Sequence, residues 1–386
     1  MKIFVLLPRV PYPLEKGDKL RAFNQVKYLS AHNEIHLCAL NDSIVHPGAV
    51  NFLKPFCKSI HILSLPEMDR LFSLIRTIFN GRPFQVGYFY NKKNRKKIKN
   101  LIDEIKPDRI YCQLIRVAEY VKGYETKKTI DYQDVFSKGI ERRISFAPFY
   151  MKPLLRVEYK RLLKYEVEVF GFFDNKTIIS YPDREQILHP EKEKIVVIPN
   201  GVDTNFYKPL VREKEFDLLF TGNMGYEPNI NSVTFLVEKI LPLIVKKYPK
   251  IKLLVAGANP SLHVCSLRSD NVTVTGWVKD MRECYAKSRI FIAPMQIGTG
   301  LQNKLLEAMA MQLPCITSIL ANKALGASND DEILTGNSPE EYASHIFSLL
   351  GDEEKTKRIG MQGYQFVLKN YNWESINEKL NKLICS

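Results

Sequence analysis

Short apolar runs alternate with stretches of helical periodicity along the first half of the chain. Residues 24–31 have the helical pattern and follow the first apolar run. Strands that are buried on both faces are typical of a parallel sheet covered by helices. The pattern therefore predicts an α/β domain, with strands at 2–8, 34–40, 58–65, 108–114, 127–132 and 176–181.

The second half restarts the same pattern, with predicted strands at 216–223, 251–259, 271–277, 289–295 and 313–318. A chain of 386 residues exceeds the size at which one core keeps growing. We predict an N-terminal Rossmann-like domain over 1–200 and a C-terminal one over 201–370, because Pro and Gly interrupt the pattern near 196–209. Residues 371–386 are predicted to form an amphipathic helix that packs back toward the first domain.

The sequence "IGTGLQNKLLEAMAMQLP" places a glycine-rich turn before a helix predicted at 302–312. Glycine lets backbone approach a ligand, and a helix N-terminus suits a phosphate. Lys304 adds a cation, and Glu307 lies one turn away on the same face as an acceptor. A nucleotide diphosphate with its ribose would suit this set. A plain tight turn with a solvated ion pair is the alternative, and both stay open.

Composition and charge narrow the class of protein. Hydrophobic residues make up 45% and charged residues 25%, as in ordinary globular proteins. No apolar run reaches the ~20 residues of a membrane span, and the start of the chain lacks a signal peptide pattern, so we expect a cytoplasmic protein. Seven scattered cysteines indicate reduced thiols, without zinc or disulfides.

The net charge of +14 is concentrated in two basic segments, 91–106 and 152–170. One interpretation is docking on an anionic membrane surface, at the inner face of the cell membrane. The other is a solvated face over a buried apolar stripe, which includes Leu155, Leu162 and Phe170. Nucleic acid is not expected as a partner, because no recognition motif accompanies the charge.

Four motifs in this order, "IPNGVD", "LLFTGNM", "LLVAG" and "GTGLQNKLLEAMAMQLP", resemble the GT-B glycosyltransferases of family four, in particular bacterial transferases of exopolysaccharide assembly. The resemblance covers nearly the whole chain. It implies an α/β fold of two Rossmann-like domains facing across a cleft, with a nucleotide-sugar donor in the second.

The resemblance also implies roles for individual residues. Glu307 matches the glutamate that holds the donor ribose, while Thr299 stands where the family has another glutamate, which touches the donor sugar. The family's Arg and Lys after the first strand of the second domain are missing here, so Lys304 is left to stabilise the diphosphate, with Lys19, Arg21 or Arg9. The implied donor-binding set is Gly17, Lys19, Gly222, Asn223, Trp277, Val278, Gly298, Thr299, Gly300, Leu301, Lys304 and Glu307.

The catalytic residues expected for glycosyl transfer are Asp134, Lys304 and Glu307. Asp131 and Asp134 cluster at the end of a predicted strand, where we expect them to face the ligand cleft. Asp134 could orient or deprotonate an acceptor hydroxyl or, alternatively, serve a turn or helix N-cap. No Asp-x-Asp occurs in the chain, so no metal or other cofactor is expected. The family's retaining chemistry needs no dedicated nucleophile if the diphosphate assists the acceptor.

We therefore expect transfer of a sugar from a nucleotide-sugar to a hydroxyl of a glycan or lipid-linked glycan, in the biosynthesis of cell-surface polysaccharide or glycoconjugate. Three alternatives stay open. The chain would be a non-catalytic sugar-binding protein, a binder of nucleic acid or other anions, or a sugar-nucleotide epimerase on the same scaffold.

Overall fold

The computed structural model describes residues 1–14, 17–297 and 300–386. The chain divides into two compact units, residues 1–199 with 376–386 and residues 200–375. Both units are α/β, and in the described residues each contains one parallel sheet.

The sheet of the first unit has the order β3-β2-β1-β4-β5-β6-β7. Its strands are β1 Lys2–Leu7, β2 Glu34–Asn41, β3 Ser59–Ser64, β4 Arg109–Gln113, β5 Lys128–Asp131, β6 Asn175–Ile178 and β7 Val196–Val197. The order reverses at β1, which pairs in parallel with both β2 and β4. This is the doubly wound arrangement, in which ligands bind beyond the carboxyl ends of the strands at the reversal.

Helices cover both faces of this sheet. Along β1, Phe4 and Leu6 belong to one buried cluster, and Ile3 and Val5 belong to another. Successive side chains of a strand point to opposite faces, so an uninterrupted apolar run supplies both cores. The helices are α1 Gly17–Leu29, α2 Ala49–Leu53, α3 Glu67–Asn80, α4 Phe84–Phe89, α5 Lys92–Ile105, α6 Ala118–Val121, α7 Phe136–Phe146, α8 Lys152–Phe170 and α9 Tyr181–Gln186.

The second unit has the sheet order β10-β9-β8-β11-β12-β13, with the reversal at β8. Its strands are β8 Phe216–Thr221, β9 Leu253–Ala256, β10 Val272–Val274, β11 Ser288–Ala293, β12 Cys315–Ser318 and β13 Leu334–Gly336. Its helices are α10 Glu227–Phe235, a π-helical turn Leu236–Ile240, α11 Leu241–Val245, α12 Leu262–Ser266, α13 Met281–Ala286, α14 Asn303–Ala310, α15 Ile319–Leu325, α16 Pro339–Gly351 and α17 Glu353–Asn370.

The last helix, α18 Trp373–Cys385, contributes Ile376, Leu380 and Ile384 to the core of the first unit. All three side chains are buried. Their spacing of four residues places them on one face of the helix. The C-terminal segment is therefore part of the first unit's core.

Several predicted boundaries shift. The helix expected at 24–31 begins at Gly17, and the strand expected at 176–181 ends at Ile178. Ser180 ends that strand because its hydroxyl accepts from the Asp183 N–H and caps α9. The apolar stripe of α8 faces the core, where Leu155, Leu162 and Phe170 are buried. That stripe is thus not available to a membrane.

A buried ion pair fixes α1 to the sheet. Arg21 donates from Nε to Oδ2 of Asp131 over 2.6 Å and from Nη2 to Oδ1 over 3.2 Å. It also donates to the carbonyls of Ile198 and Pro199. The sequence suggested a diphosphate role for Arg21 and a ligand-facing position for Asp131. The structure corrects both, because the two side chains satisfy each other inside the first unit.

Candidate functional site

Two glycine turns lie at the carboxyl ends of β8 and β9. Gly222 has φ +152° and Gly257 has φ +144°. A Cβ at Gly257 would lie 1.7 Å from the Gly222 carbonyl oxygen, and one at Gly222 would lie 2.7 Å from Nδ2 of Asn229. Only glycine allows such close backbone packing. The two turns therefore leave space at the end of β8 for a side chain from α14.

That side chain is Lys304, in the first turn of α14. Its Nζ donates to Oδ1 of Asn229 over 2.5 Å and lies 4.3 Å from the centre of the Phe220 ring. A Cβ at Gly222 would approach the same Nζ to 3.1 Å. Burial lowers the pKa of Lys304 to about 7, and Glu307 opposes that shift. The ammonium is therefore held against strand β8, where a neutral amide oxygen accepts its hydrogen bond.

Glu307 lies one helical turn after Lys304 and is held by tyrosines. The Tyr285 hydroxyl donates to Oε2 of Glu307 over 2.8 Å, and it lies 2.9 Å from the hydroxyl of Thr221. Tyr207 also hydrogen bonds to Glu307. Burial raises the pKa of Glu307 to about 7, while these hydrogen bonds and Lys304 favour the carboxylate. The carboxylate is fixed in direction and still half-buried rather than enclosed.

Among the described residues, no side chain caps the N-terminus of α14. Gln302 occupies the N-cap position with extended backbone and makes no capping hydrogen bond. No described atom lies within 4 Å of a Cβ placed on Gly300, and Leu301 packs against the unit's core. Uncapped N–H groups beside Lys304 form a site for a phosphate, with Glu307 as an acceptor for a hydroxyl one turn away.

Other residues of the predicted donor-binding set lie at separate positions in the second unit. Asn223 is exposed, and its side chain accepts from the Gly225 N–H in the turn after β8. Trp277 follows β10 with 71% of its surface exposed, and Val278 packs against the core. Gly298 and Thr299 lie outside the described residues, so their predicted roles stay predictions.

Gly17 and Lys19 lie at the start of α1 in the first unit. Nothing occupies the space of a Cβ at Gly17. Lys19 donates to the Tyr12 carbonyl over 3.2 Å, and Arg9 pairs with Asp18 over 3.1 Å. The structure places these residues beyond the carboxyl end of β1, where the doubly wound fold binds ligands.

A cavity of about 560 Å³ opens at the same end of the first sheet. Arg9, Lys19 and Arg70 line it, together with Tyr12 and Tyr88. Arg70 donates to the Tyr88 hydroxyl, but its buried Nε has no hydrogen-bond partner among the residues that the structure describes. A cationic wall with aromatic rings fits a polar or anionic part of a sugar-containing ligand.

Asp134 lies three residues after β5 ends at Asp131, and the residue as a whole is exposed although protein atoms closely surround its carboxyl group. Desolvation by the surrounding protein, with repulsion from Asp183, raises the pKa of its carboxyl to about 6, and Arg142 opposes the rise. The alternative as an N-cap does not describe this residue, since α7 has Val135 as its N-cap and no capping side chain. Its pKa suits a general base near neutral pH.

Comparison with known proteins adds the family. Residues 215–352 match the model described as "Glycosyl transferases group 1". This match contains Gly222, Lys304 and Glu307. These residues of the second unit therefore form a glycosyltransferase domain of group 1.

Two relatives support this. A protein described as an uncharacterized 44.6 kDa protein in the cps region of Klebsiella pneumoniae is 22% identical to this glycosyltransferase, with 99% of both chains covered. The GDP-mannose-dependent alpha-(1-6)-phosphatidylinositol monomannoside mannosyltransferase of Mycobacterium tuberculosis is 24% identical, over 47% of this chain and 54% of its own.

Solved structures show the same fold over the whole glycosyltransferase. Sucrose-phosphate synthase from Thermosynechococcus elongatus has a TM-score of 0.71 at 14% identity, covering 99% of this chain and 98% of its own. HepE from Anabaena, solved in complex with UDP, has a TM-score of 0.68 at 14% identity, covering 99% of both chains. The predicted fold class and the assignment to glycosyltransferases are both confirmed.

The sequence analysis does not predict three side chains that hold Lys304 and Glu307. Tyr207 and Tyr285 hold Glu307, and Asn229 holds Lys304. Asn229 lies in α10, and its position in the sequence gives no sign of a contact with Lys304, 75 residues later. The tyrosines carry no spacing signal, because they lie 100 and 22 residues before Glu307 and meet it only through the fold.

Two features of the described ranges 1–14, 17–297 and 300–386 concern membranes and metal ions. In these ranges no helix is both long and apolar enough to cross a bilayer. The same ranges contain no group of three or more His, Cys, Asp or Glu side chains placed to hold a metal ion.

Proposed function

We propose that this glycosyltransferase moves a sugar from a nucleoside-diphosphate donor to a hydroxyl of a glycan or lipid-linked glycan, with retention of anomeric configuration and without a metal. The observation that carries the proposal is the placement of Lys304 and Glu307 one turn apart at the start of α14, where each is held by a neighbouring side chain. The cation can bind the diphosphate of a nucleotide, while the oriented carboxylate one turn away binds the ribose that is joined to it.

The leaving group sets the demands of the chemistry. As the bond from sugar to phosphate breaks, negative charge builds on the diphosphate. The N–H groups of α14 and the Lys304 ammonium stabilise that charge, because they are already oriented before it develops. Glu307 accepts from the ribose hydroxyls, while the hydroxyls of Tyr207 and Tyr285 keep the carboxylate in place.

The acceptor belongs to the first unit in this proposal. Asp134 takes the acceptor proton, directly or through the departing phosphate, and its raised pKa makes it a competent base near pH 7. The cavity lined by Arg9, Lys19 and Arg70 receives the rest of the acceptor.

A uridine diphosphate donor is the first to test, since HepE was solved in complex with UDP, and a guanosine diphosphate donor is the second, since the mannosyltransferase depends on GDP-mannose. The cps region of the Klebsiella relative favours a role in cell-surface polysaccharide assembly. A lipid-linked acceptor would bring the protein to the inner face of the membrane, where the basic segments 91–106 and 152–170 favour anionic lipid.

The test is a thermal-unfolding screen with UDP, GDP, ADP, CMP and TDP. At about 100 times Kd a nucleotide stabilises the folded state by about 2.7 kcal/mol, which raises Tm by roughly 5–10 °C for a unit of this size. We expect Glu307→Gln to lose most of that rise and Glu283→Gln, an exposed carboxylate of the same unit, to keep it.

Turnover separates the alternatives. A transferase releases the free nucleoside diphosphate in proportion to glycosylated acceptor, whereas an epimerase forms a new nucleotide sugar and consumes no acceptor. An equal Tm rise in the wild type and in Glu307→Gln would contradict the assigned donor site. Binding without any turnover would favour the non-catalytic alternative.

A further inference from the structure

Helix α3 carries its apolar face on the outside of the protein. Phe79 is 84% exposed and Phe72 is 62% exposed. The apolar side chains recur every three or four residues and so form one stripe along the helix. The exposed members are Met68, Leu71, Phe72, Ile75, Ile78 and Phe79.

The inward face of the same helix is small and polar. Thr77 is its buried residue, and Ser73 donates from its hydroxyl to the Tyr90 carbonyl over 2.9 Å. Helix α4 packs against this face so closely that a Cβ on Gly87 would lie 1.9 Å from Cγ2 of Thr77. Rotation of α3 to bury its phenylalanines would push larger side chains into that contact. The outward stripe is therefore fixed by packing.

The apolar surface continues onto the start of α8. Arg161 donates to the carbonyls of Thr77 over 2.8 Å and Ile78 over 3.2 Å, so α8 lies beside the end of α3. Leu154 and Val157 are exposed and share the helix face of Arg161, one and two turns before it. We call the exposed residues of α3 together with Leu154 and Val157 the apolar face.

Cations border this apolar face. Arg76 is exposed on α3 itself, and Lys160 and Arg156 are exposed on α8. Helix α5 begins beside α3, since the Asn91 side chain donates to Asp69 over 2.9 Å. The first turns of α5 then present exposed cations at Lys92, Lys93, Arg95, Lys96 and Lys97.

We infer that the apolar face docks on an anionic lipid bilayer, with the phenylalanines in the acyl boundary and the surrounding cations on the headgroups. This deepens the proposed function, since it rests on an acceptor held at a membrane. A large apolar patch rimmed by basic residues is the pattern of an interfacial surface. A second copy is a poorer occupant, because a two-fold contact through the same patch brings two basic rims together.

The experiment measures binding of the full chain to vesicles by flotation, in the absence of nucleotide. One set of vesicles contains phosphatidylglycerol and phosphatidylcholine in equal parts, and the other contains phosphatidylcholine alone. We expect strong binding to the anionic set, weakened by salt. Phe72→Ser with Phe79→Ser should reduce the partition coefficient about tenfold or more.

The control pair is Val211→Ser with Leu262→Ser, since these exposed apolar side chains lie in the second unit. It should bind like the wild type. Arg156→Glu with Lys160→Glu should weaken binding to the anionic set and leave the small binding to neutral vesicles unchanged.

Two readouts decide between outcomes. The UDP-induced Tm rise should be unchanged in every docking variant, which shows folding and keeps the donor site separate from the lipid surface. Equal flotation of the phenylalanine variant and the wild type would overturn the inference. So would a wild type that ignores vesicles but dimerises in sedimentation, with the phenylalanine variant monomeric. If no nucleotide raises the Tm of the wild type although it binds vesicles, the proposed function is overturned and the docking inference is not.

Discussion

At the scale of single residues, the donor site depends on two groups whose pKa values are drawn toward each other. Burial raises the pKa of Glu307 and lowers that of Lys304, so both lie near 7. A bound diphosphate would favour the ammonium, and a ribose hydroxyl would favour the carboxylate. We therefore expect a bound donor to fix the charge of both groups.

Asp134 gives the clearest pH prediction for the chemical step. In the proposed mechanism its carboxylate is the active form, and with a pKa of about 6 that form is lost as the pH falls through 6. We expect kcat to fall about tenfold per pH unit below 6, and Asp134→Asn to lower kcat by about 10²–10⁴. Initial rates from pH 4.5 to 8 measure both.

The Asp134 variant should keep the UDP-induced Tm rise, because the donor site lies in other elements. It should also lose the acid limb of the profile. If Asp134→Asn retains that limb with the wild-type kcat, another group supplies the base.

At the scale of elements, contacts between small residues decide how helices are oriented. Gly87 lets α4 approach α3 at Thr77, and the pair Gly222 and Gly257 lets two turns of the second sheet stack. In each place a methyl group would collide with a backbone or short side-chain atom. These glycines therefore act through the packing of neighbouring elements.

The contact of Gly87 with Thr77 can be tested by a double-mutant cycle. Gly87→Ala places a Cβ 1.9 Å from Cγ2 of Thr77, so we expect it to lower the free energy of unfolding by about 1–3 kcal/mol. Thr77→Ser removes that methyl group. In the Thr77→Ser background, Gly87→Ala should cost less than half as much.

Urea unfolding measures all four members of the cycle. Gly123→Ala is a poor control because its φ is positive, whereas Gly139→Ala on α7 has open space and should cost nothing or stabilise slightly. Additive effects at Gly87 and Thr77 would mean that α3 is not seated as described.

At the scale of the whole molecule, the chain builds two doubly wound units and then returns its C-terminal helix to the first. Leu380 is fully buried in the first unit's core, although it lies in the last seven residues of the sequence. The ends of the chain therefore share one core, and the second unit is inserted between them in sequence.

Leu380→Ala tests this arrangement. Truncating a buried leucine costs about 2–5 kcal/mol, so the first unit should unfold at lower urea. Lys382→Ala, exposed on the same helix, should change stability by less than about 0.5 kcal/mol. The UDP-induced stabilisation of the second unit should be the same in both. Equal stability of the two variants would mean that α18 is not part of the core.

The pattern of apolar residues was enough to predict the two sheets, and helical spacing was enough to predict that Lys304 and Glu307 are neighbours. Buried parallel strands need continuous apolar runs, so the runs at 2–8 and 216–223 located β1 and β8. The strands β7 and β13 escaped because two or three residues are too short to show a period. Lys304 and Glu307 were predictable because both lie on one helix, where spacing fixes which side chains are neighbours.

Which face of an element is inside, and which distant residues meet, depends on how the elements pack. Periodicity shows that the apolar residues of α3 share a face, but the contact at Thr77 turns that face outward. Arg21 and Asp131 looked like ligand-binding charges until packing joined them over 110 positions of sequence. Long-range partners leave no local signal, since they depend on how strands and helices stack. The tyrosines that hold Glu307 became visible for that reason only in the folded chain.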